Sequence, residues 1–119
     1  MRFKTLKIRS YLDGFAYIYR YNENNKSSFG AKKNIREKEE MELIYKLAYS
    51  QTYKRLDDID FCETQGRNLT LKIKTPLVKG ILNSDKVLID NMLYDIIYTD
   101  EDRANQELYI YLEEVREIE

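Results

Sequence analysis

From Met41 onward the chain returns an apolar or aromatic side chain at every second position, in one short run after another: "MELIYKLAY", "LTLKIKT", "KVLID", "MLYDIIYT" and "ELYIYLEEV". A repeat of two is the repeat of an extended strand, whose successive side chains point to opposite faces, so these runs predict a sheet. An earlier run of the same kind, "DGFAYIYRY", opens after the turn pair Asp13-Gly14 and alternates Phe15, Tyr17, Tyr19 and Tyr21 with Ala16, Ile18 and Arg20. One stretch breaks the pattern. In "YKRLDDIDFCETQG" the residues Leu56, Ile59 and Cys62 fall three apart and Gly66 follows, which predicts a helix over 54–65 with a glycine stop.

The connections sharpen this picture. Pro76 ends the run Leu69, Leu71, Ile73 because it has no N–H for a ladder, and Asp90-Asn91 between "KVLID" and "MLYDIIYT" is a hairpin signal. Residues 22–40 have little periodicity and read as a long mobile loop. The chain of 119 residues is expected to be one domain over 1–119. Its expected fold is mainly β: a small antiparallel β-barrel or sandwich of about six strands with one short inserted α-helix. Strands this close together have no helices between most of them to make parallel crossovers.

Composition narrows the chemistry. The chain has no histidine, which excludes the Ser-His-Asp and Cys-His nucleophile systems and His-containing zinc sites, and the single Cys62 excludes an intramolecular disulfide and a cysteine-rich zinc site. Four scattered glycines make neither a phosphate-cradling loop nor a dinucleotide fingerprint. No catalytic residue, cofactor or metal is therefore expected. Cys62 reads as a small apolar core residue on the helix face. No apolar run reaches the roughly 20 residues that span a bilayer, and the start lacks the apolar segment of a signal peptide, so no membrane contact is expected and the protein should stay where it is made.

Charge is unevenly spread. Residues 1–38 carry ten Lys/Arg against three Asp/Glu, a net +7, while residues 39–119 carry ten against eighteen, a net −8. Such polarity suits contact with nucleic acid by the basic part, or head-to-tail attraction between copies. Two acidic groups stand out, Asp57, Asp58, Asp60 and Glu63 in the helix and Asp100, Glu101 and Asp102 in the last hairpin, and both read as solvated charge. Neither has the calcium-loop spacing. The eleven tyrosines remain. Tyr94, Ile96 and Tyr98 are expected on one face of their strand with Leu93, Asp95 and Ile97 on the other, and Leu108, Ile110 and Leu112 should oppose Tyr109 and Tyr111. A sheet apolar on both faces is either the interior of a two-layer domain or is covered by another subunit.

From Met41 to Val115 the order is a strand ending in Leu47-Ala48-Tyr49, a short charged helix, a Lys-rich strand, then "VLIDNMLYDIIYTDEDRANQELYIYLEEV" with Tyr94-Asp95-Ile96 and the closing Leu108-Tyr109-Ile110-Tyr111-Leu112. This pattern resembles the head-tail joining, or head-closure, proteins of tailed bacteriophages, although that family often carries Trp before the alanine and this chain has none. The resemblance implies a non-enzymatic β-barrel made in the host bacterial cytoplasm and built into the virion as a homo-oligomeric ring. The ring would sit below the portal or adaptor, close the DNA-filled capsid and offer a docking surface to tail proteins. Contacts with the DNA channel or a neighbour are then expected at Lys32, Lys33, Arg36 and Lys38, and partner contacts at Asp100, Glu101, Asp102, Tyr109 and Tyr111. Alternatives are a tail-completion or tail-terminator ring protein, and a small nucleic-acid-binding barrel that stacks bases on Tyr17, Tyr19 or Tyr109.

Overall fold

Six antiparallel strands close into a barrel in the order β1-β2-β3-β6-β5-β4, with β4 returning to pair with β1. The computed structural model describes residues 11–21 and 41–117. Its elements are β1 (Gly14–Tyr21), β2 (Met41–Thr52), α1 (Leu56–Thr64), β3 (Leu71–Pro76), β4 (Lys86–Ile89), β5 (Met92–Asp102) and β6 (Glu107–Glu117). Among the described residues, the expected mainly β fold with one inserted helix is what forms. Closure gives each described strand a partner on both sides, though over part of its length only: β1 pairs with β4 at Tyr17–Tyr19, and β2 with β3 at Ser50–Thr52. The expected loop 22–40 lies outside the described residues.

Alternation sorts the side chains. Ala16 and Ile18 from β1, Leu47 and Tyr49 from β2, Ile73 from β3, Val87 and Ile89 from β4, Ile96 from β5, and Leu108, Ile110 and Leu112 from β6 fill the interior. The Asp90-Asn91 signal works as a two-residue hairpin: both residues have positive φ, 49° and 70°, and Ile89 pairs with Met92 across the turn. Two positive φ values define the primed turn whose twist matches that of the strands.

Bulges change some of the expected faces. Ile96 pairs with Leu112 and Tyr98 with Tyr111, which leaves Ile97 as an extra residue in β5. Past that point the phase of the strand inverts, so Tyr98 stands with Tyr111 outside the barrel rather than with Ile96 inside it. In β2 a similar shift leaves Ile44 between Tyr45, which pairs with Ile18, and Leu43, which pairs with Tyr19. Leu43 is accordingly half exposed. Leu69 departs from its expected partners as well: β3 begins only at Leu71, and Leu69 packs outside the barrel with Cys62.

The helix starts two residues later and ends one residue earlier than the 54–65 expected, and its ends are well defined. Asp58 in the first turn accepts a hydrogen bond from the Arg55 backbone N–H at 3.1 Å, and Asp57 and Asp58 both place negative charge at the positive end of the helix dipole. At the other end Gly66 takes φ 71°, the Gly66 N–H donates to the Glu63 carbonyl and the Arg67 N–H to the Cys62 carbonyl. That paired closure is the Schellman arrangement, which needs a left-handed residue where Gly66 stands. Of the expected apolar face, Ile59 and Cys62 turn inward but Leu56 is 72% exposed. Among the described residues no helix is long and apolar enough to cross a membrane.

Candidate functional site

The outer surface of β3, β5 and β6 is not left bare, because α1 lies across it. Beneath the helix Cys62, Leu69, Ile97 and Tyr111 form a second apolar cluster, with Ile59 and Tyr109 packed against it. Cys62 is fully buried, as its position on the inner helix face implied, and burial pushes its thiol pKa up.

At the edge of this cluster is a group of charges. Lys72, on the outward side of β3, reaches Asp58 of the helix with its Nζ 2.8 Å from Oδ2. Both side chains are almost fully buried, at 7% and 4% exposure. The Arg55 guanidinium donates to the same carboxylate through Nε at 3.2 Å and Nη2 at 3.0 Å, and the Tyr111 hydroxyl donates to Oδ1 at 3.1 Å. The Lys72 ammonium also lies 5.3 Å from the centre of the Tyr109 ring and 5.1 Å from that of Tyr111. Ring faces attract a cation, so the aromatic pair helps to hold a charge that burial alone would disfavour.

The electrostatics follow from these contacts. Burial raises the pKa of Asp58, but the hydrogen bonds from Arg55, Lys72 and Tyr111 outweigh it and hold the carboxyl well below the usual carboxylate range. Burial, then the bond to Asp58, pushes the Tyr111 hydroxyl up to about 12. Near neutral pH the one therefore holds no proton and the other releases none. The group is built as an anchor between helix and barrel rather than as an acid–base pair.

A pH dependence results. Because the folded pKa of Asp58 lies below its unfolded value of about 3.9, its contribution to stability is complete above that value and is lost as pH falls through it toward the folded pKa. Glu113, lowered by its bond to Arg67, acts in the same direction. Thermal denaturation at pH 7 and pH 3 should show a clear loss of Tm in the native protein and a smaller loss in Asp58→Asn. Equal losses in both would mean that Asp58 is not the titrating group.

Over this anchor a cleft of about 440 Å³ opens, lined by Thr52, Tyr53, Arg55, Lys72, Asp100, Tyr109 and Tyr111. A second of about 210 Å³ adjoins it, sharing Arg55, Asp100 and Tyr111 and bounded by Phe61 and Tyr98. The Phe61 and Tyr98 rings meet at 5.2 Å, and Tyr98 meets Tyr111 edge-on at 5.3 Å. Tyr53 in the first cleft and Phe61 in the second are large, exposed and apolar.

The structure brings together some of the sequence-derived site residues and separates others. Asp100, Glu101 and Asp102, expected in the last hairpin, are the last three residues of β5, and the turn itself is Arg103–Gln106. Glu101 pairs with Arg103 and Asp102 accepts from Asn105, whereas Asp100 faces the cleft. Tyr109 lines the same cleft, beside Lys72. Tyr111, expected at a partner contact, is 4% exposed and is covered by the chain's own helix, so little of it is left for a partner. Asp58, expected to be solvated, is buried. Tyr17 is half-buried with the Lys46 ammonium 5.8 Å from its ring. Lys32, Lys33, Arg36 and Lys38 lie outside the described residues.

Three functional-looking residues escape sequence reasoning. Two are Lys72 and Arg55, although a lysine between the apolar Leu71 and Ile73 in a strand covered by a charged helix is a signal for a buried pair. The third, Asp85, is 1% exposed and receives Arg20 through Nε at 2.9 Å and Nη2 at 3.0 Å, tying the β3–β4 connection to β1. No local pattern marks it, since its partner is 65 residues away. No family model matches the chain, and no curated protein matches it.

Proposed function

We propose that the protein is a structural component of a tailed-phage head-tail connector, assembling as a ring below the portal or adaptor that closes the filled capsid and receives the tail. The observation that carries this reading is that the segments bearing the resemblance, Met41 to Val115, fold in the order that it implies. A strand is followed by a short charged helix, a Lys-rich strand and two hairpins, the strands all belonging to one closed barrel. Closure also bears on how copies meet. With both sides of each described strand at least partly paired, assembly through the barrel is expected to use side-chain surfaces, and large apolar side chains are exposed at Tyr53 and Phe61 beside the two adjoining clefts.

The anchor fits a structural role, because it spends its charges on fixing α1 to the barrel. The opposed charges of the two parts of the chain suit contacts that are individually weak and gain strength when a template holds many copies together. Purified chain should therefore sediment as a monomer at micromolar concentration, and electron microscopy of particles assembled with the tagged chain should place ring density at the head-tail junction. Tagged chain that pulls down tail proteins rather than portal or adaptor proteins would favour the tail-completion or tail-terminator reading. Its absence from particles, with retention on single-stranded DNA, would replace both with the nucleic-acid-binding barrel.

A further inference from the structure

The helix covers only part of the outer sheet. α1 packs over Leu69, Ile97 and Tyr111, and past it the outer face of β5 and β6 continues to their hairpin turn. By register Asp100 stands beside Tyr109 and Asp102 beside Glu107, all on the side of Tyr111 rather than in the interior. Burial first, then the charges of Glu107, Asp102 and Asp100, push the pKa of the Tyr109 hydroxyl up, as expected where three carboxylates crowd one ring. Among the described residues Glu107 has the Lys74 ammonium 3.7 Å away, whereas Asp100 and Asp102 are in no ion pair.

One residue from outside the sheet is already seated on this face. Tyr11, three residues before β1, donates its hydroxyl to Glu107 Oε2 at 2.8 Å. Asp13 is still beside β2, where its N–H donates to the Tyr49 carbonyl and its carboxylate accepts the Gln51 N–H at 2.7 Å. Between Asp13 and the Tyr11 ring the chain therefore leaves β2 and crosses β3 toward β6. The residues before Tyr11, "MRFKTLKIRS", carry four cations, Arg2, Lys4, Lys7 and Arg9, and no acid.

We propose that residues 1–10 are a strap that continues from Tyr11 over the outer face of the β5–β6 hairpin of the same chain, with Arg9 and Lys7 on Asp102 and Asp100. Tyr11 fixes where the strap begins. It is held at Glu107, whose cross-strand partner is Asp102, about 5 Å away between Cα atoms, and the Cα of Arg9 lies within about 7 Å of that of Tyr11. Spacing matches as well. Lys7 and Arg9 are two residues apart, as are Asp100 and Asp102, so an extended strap turns two cations about 7 Å apart toward two carboxylates about 7 Å apart. The tether selects the chain's own strap over a second copy's, because a short link gives an effective concentration on the order of millimolar against micromolar free protein. The basic residues of 27–38 are tethered too, but they enter from Tyr21 and Met41, which pair at the other end of β1 and β2 from Gly14 and Tyr49. Docked, the strap covers Tyr109 and the Asp100 rim of the cleft, so a partner that meets the hairpin there has to displace it. That consequence rests on the reading that partners assemble on this face, and the strap itself does not.

The test is paramagnetic NMR on the full chain carrying a nitroxide at Thr5→Cys, since Cys62 is fully buried and stays unlabelled. The amide signals of Asp100, Asp102 and Tyr109 should broaden, and the broadening should fade with added salt. Lys7→Glu together with Arg9→Glu should cut the docked population about fivefold, as befits two exposed pairs. Adding Asp100→Lys and Asp102→Lys should restore it by swapping the charges, and unchanged methyl signals of Ile18, Ile73 and Ile110 will show that the barrel is intact. Broadening centred elsewhere, or indifferent to the charge reversals, would overturn the proposal. So would broadening seen only when the nitroxide and the observed amides are on different chains, which would give the face to a second copy. An equal loss in Lys32→Glu with Lys33→Glu would give it to residues 27–38 and overturn the proposal too. These spectra are taken on the isolated chain. If they show no strap while particles carry a ring of the chain, the strap falls and the connector reading stands; broadening in a chain that is absent from particles keeps the strap and removes the connector reading.

Discussion

Ile96→Asp should abolish folding. Ile96 is 2% exposed and sits in the barrel interior with Ile18, Ile73, Ile110 and Leu112 around it, none of which offers a hydrogen bond to a carboxylate. Placing an unpaired carboxyl there costs several kcal/mol, on top of about 2–5 kcal/mol for the lost apolar side chain. A small domain has about 5–15 kcal/mol in all. The variant should therefore appear in the insoluble fraction, or give a spectrum without dispersed methyl signals. Ile96→Val removes a single methyl and should cost only about 1 kcal/mol. A soluble Ile96→Asp protein with the native thermal transition would show that Ile96 does not face the interior.

Asp58→Ala should be the most damaging change outside the barrel. It leaves the Lys72 ammonium buried without its partner and removes the acceptor used by Arg55 and Tyr111. Breaking a buried pair from one side costs about 3–5 kcal/mol. The lower end is expected here, because the Arg55 side chain is 59% exposed and water can reach that side of the group. The double variant Asp58→Leu with Lys72→Met should recover most of the loss, since it removes both charges and leaves apolar volume next to Cys62 and Ile97. Urea denaturation of the native protein, Asp58→Leu, Lys72→Met and the double variant forms a complete cycle. A double variant no better than Asp58→Ala would mean that the pair fixes the helix in a way that apolar packing cannot replace.

Much of the fold was legible because its signals are local. The alternation that makes Leu108, Ile110 and Leu112 one face, the left-handed Asp90-Asn91 turn and the glycine stop at Gly66 each depend on a few consecutive residues. These features determined the strands, the hairpin between β4 and β5, and the place of the helix. The position of Cys62 under that helix follows from its three-residue spacing to Ile59.

Only the tertiary structure decided how the sheet closes and what lies on its outer side. Closure depends on pairing β1 with β4, strands far apart in the chain, which no local pattern encodes. The bulge at Ile97 turns Tyr98 from the inner to the outer face by adding one residue opposite the regular partner strand, a change invisible to a count of alternating positions. Whether a charge is solvated is equally non-local. Asp57 and Asp58 are adjacent and chemically identical, yet one is exposed and the other holds Lys72, because helix geometry turns only the second toward the barrel. The same holds for Tyr109 and Tyr111: their apolar face required a cover, and it was the docking of α1 that determined the cover would come from within the chain.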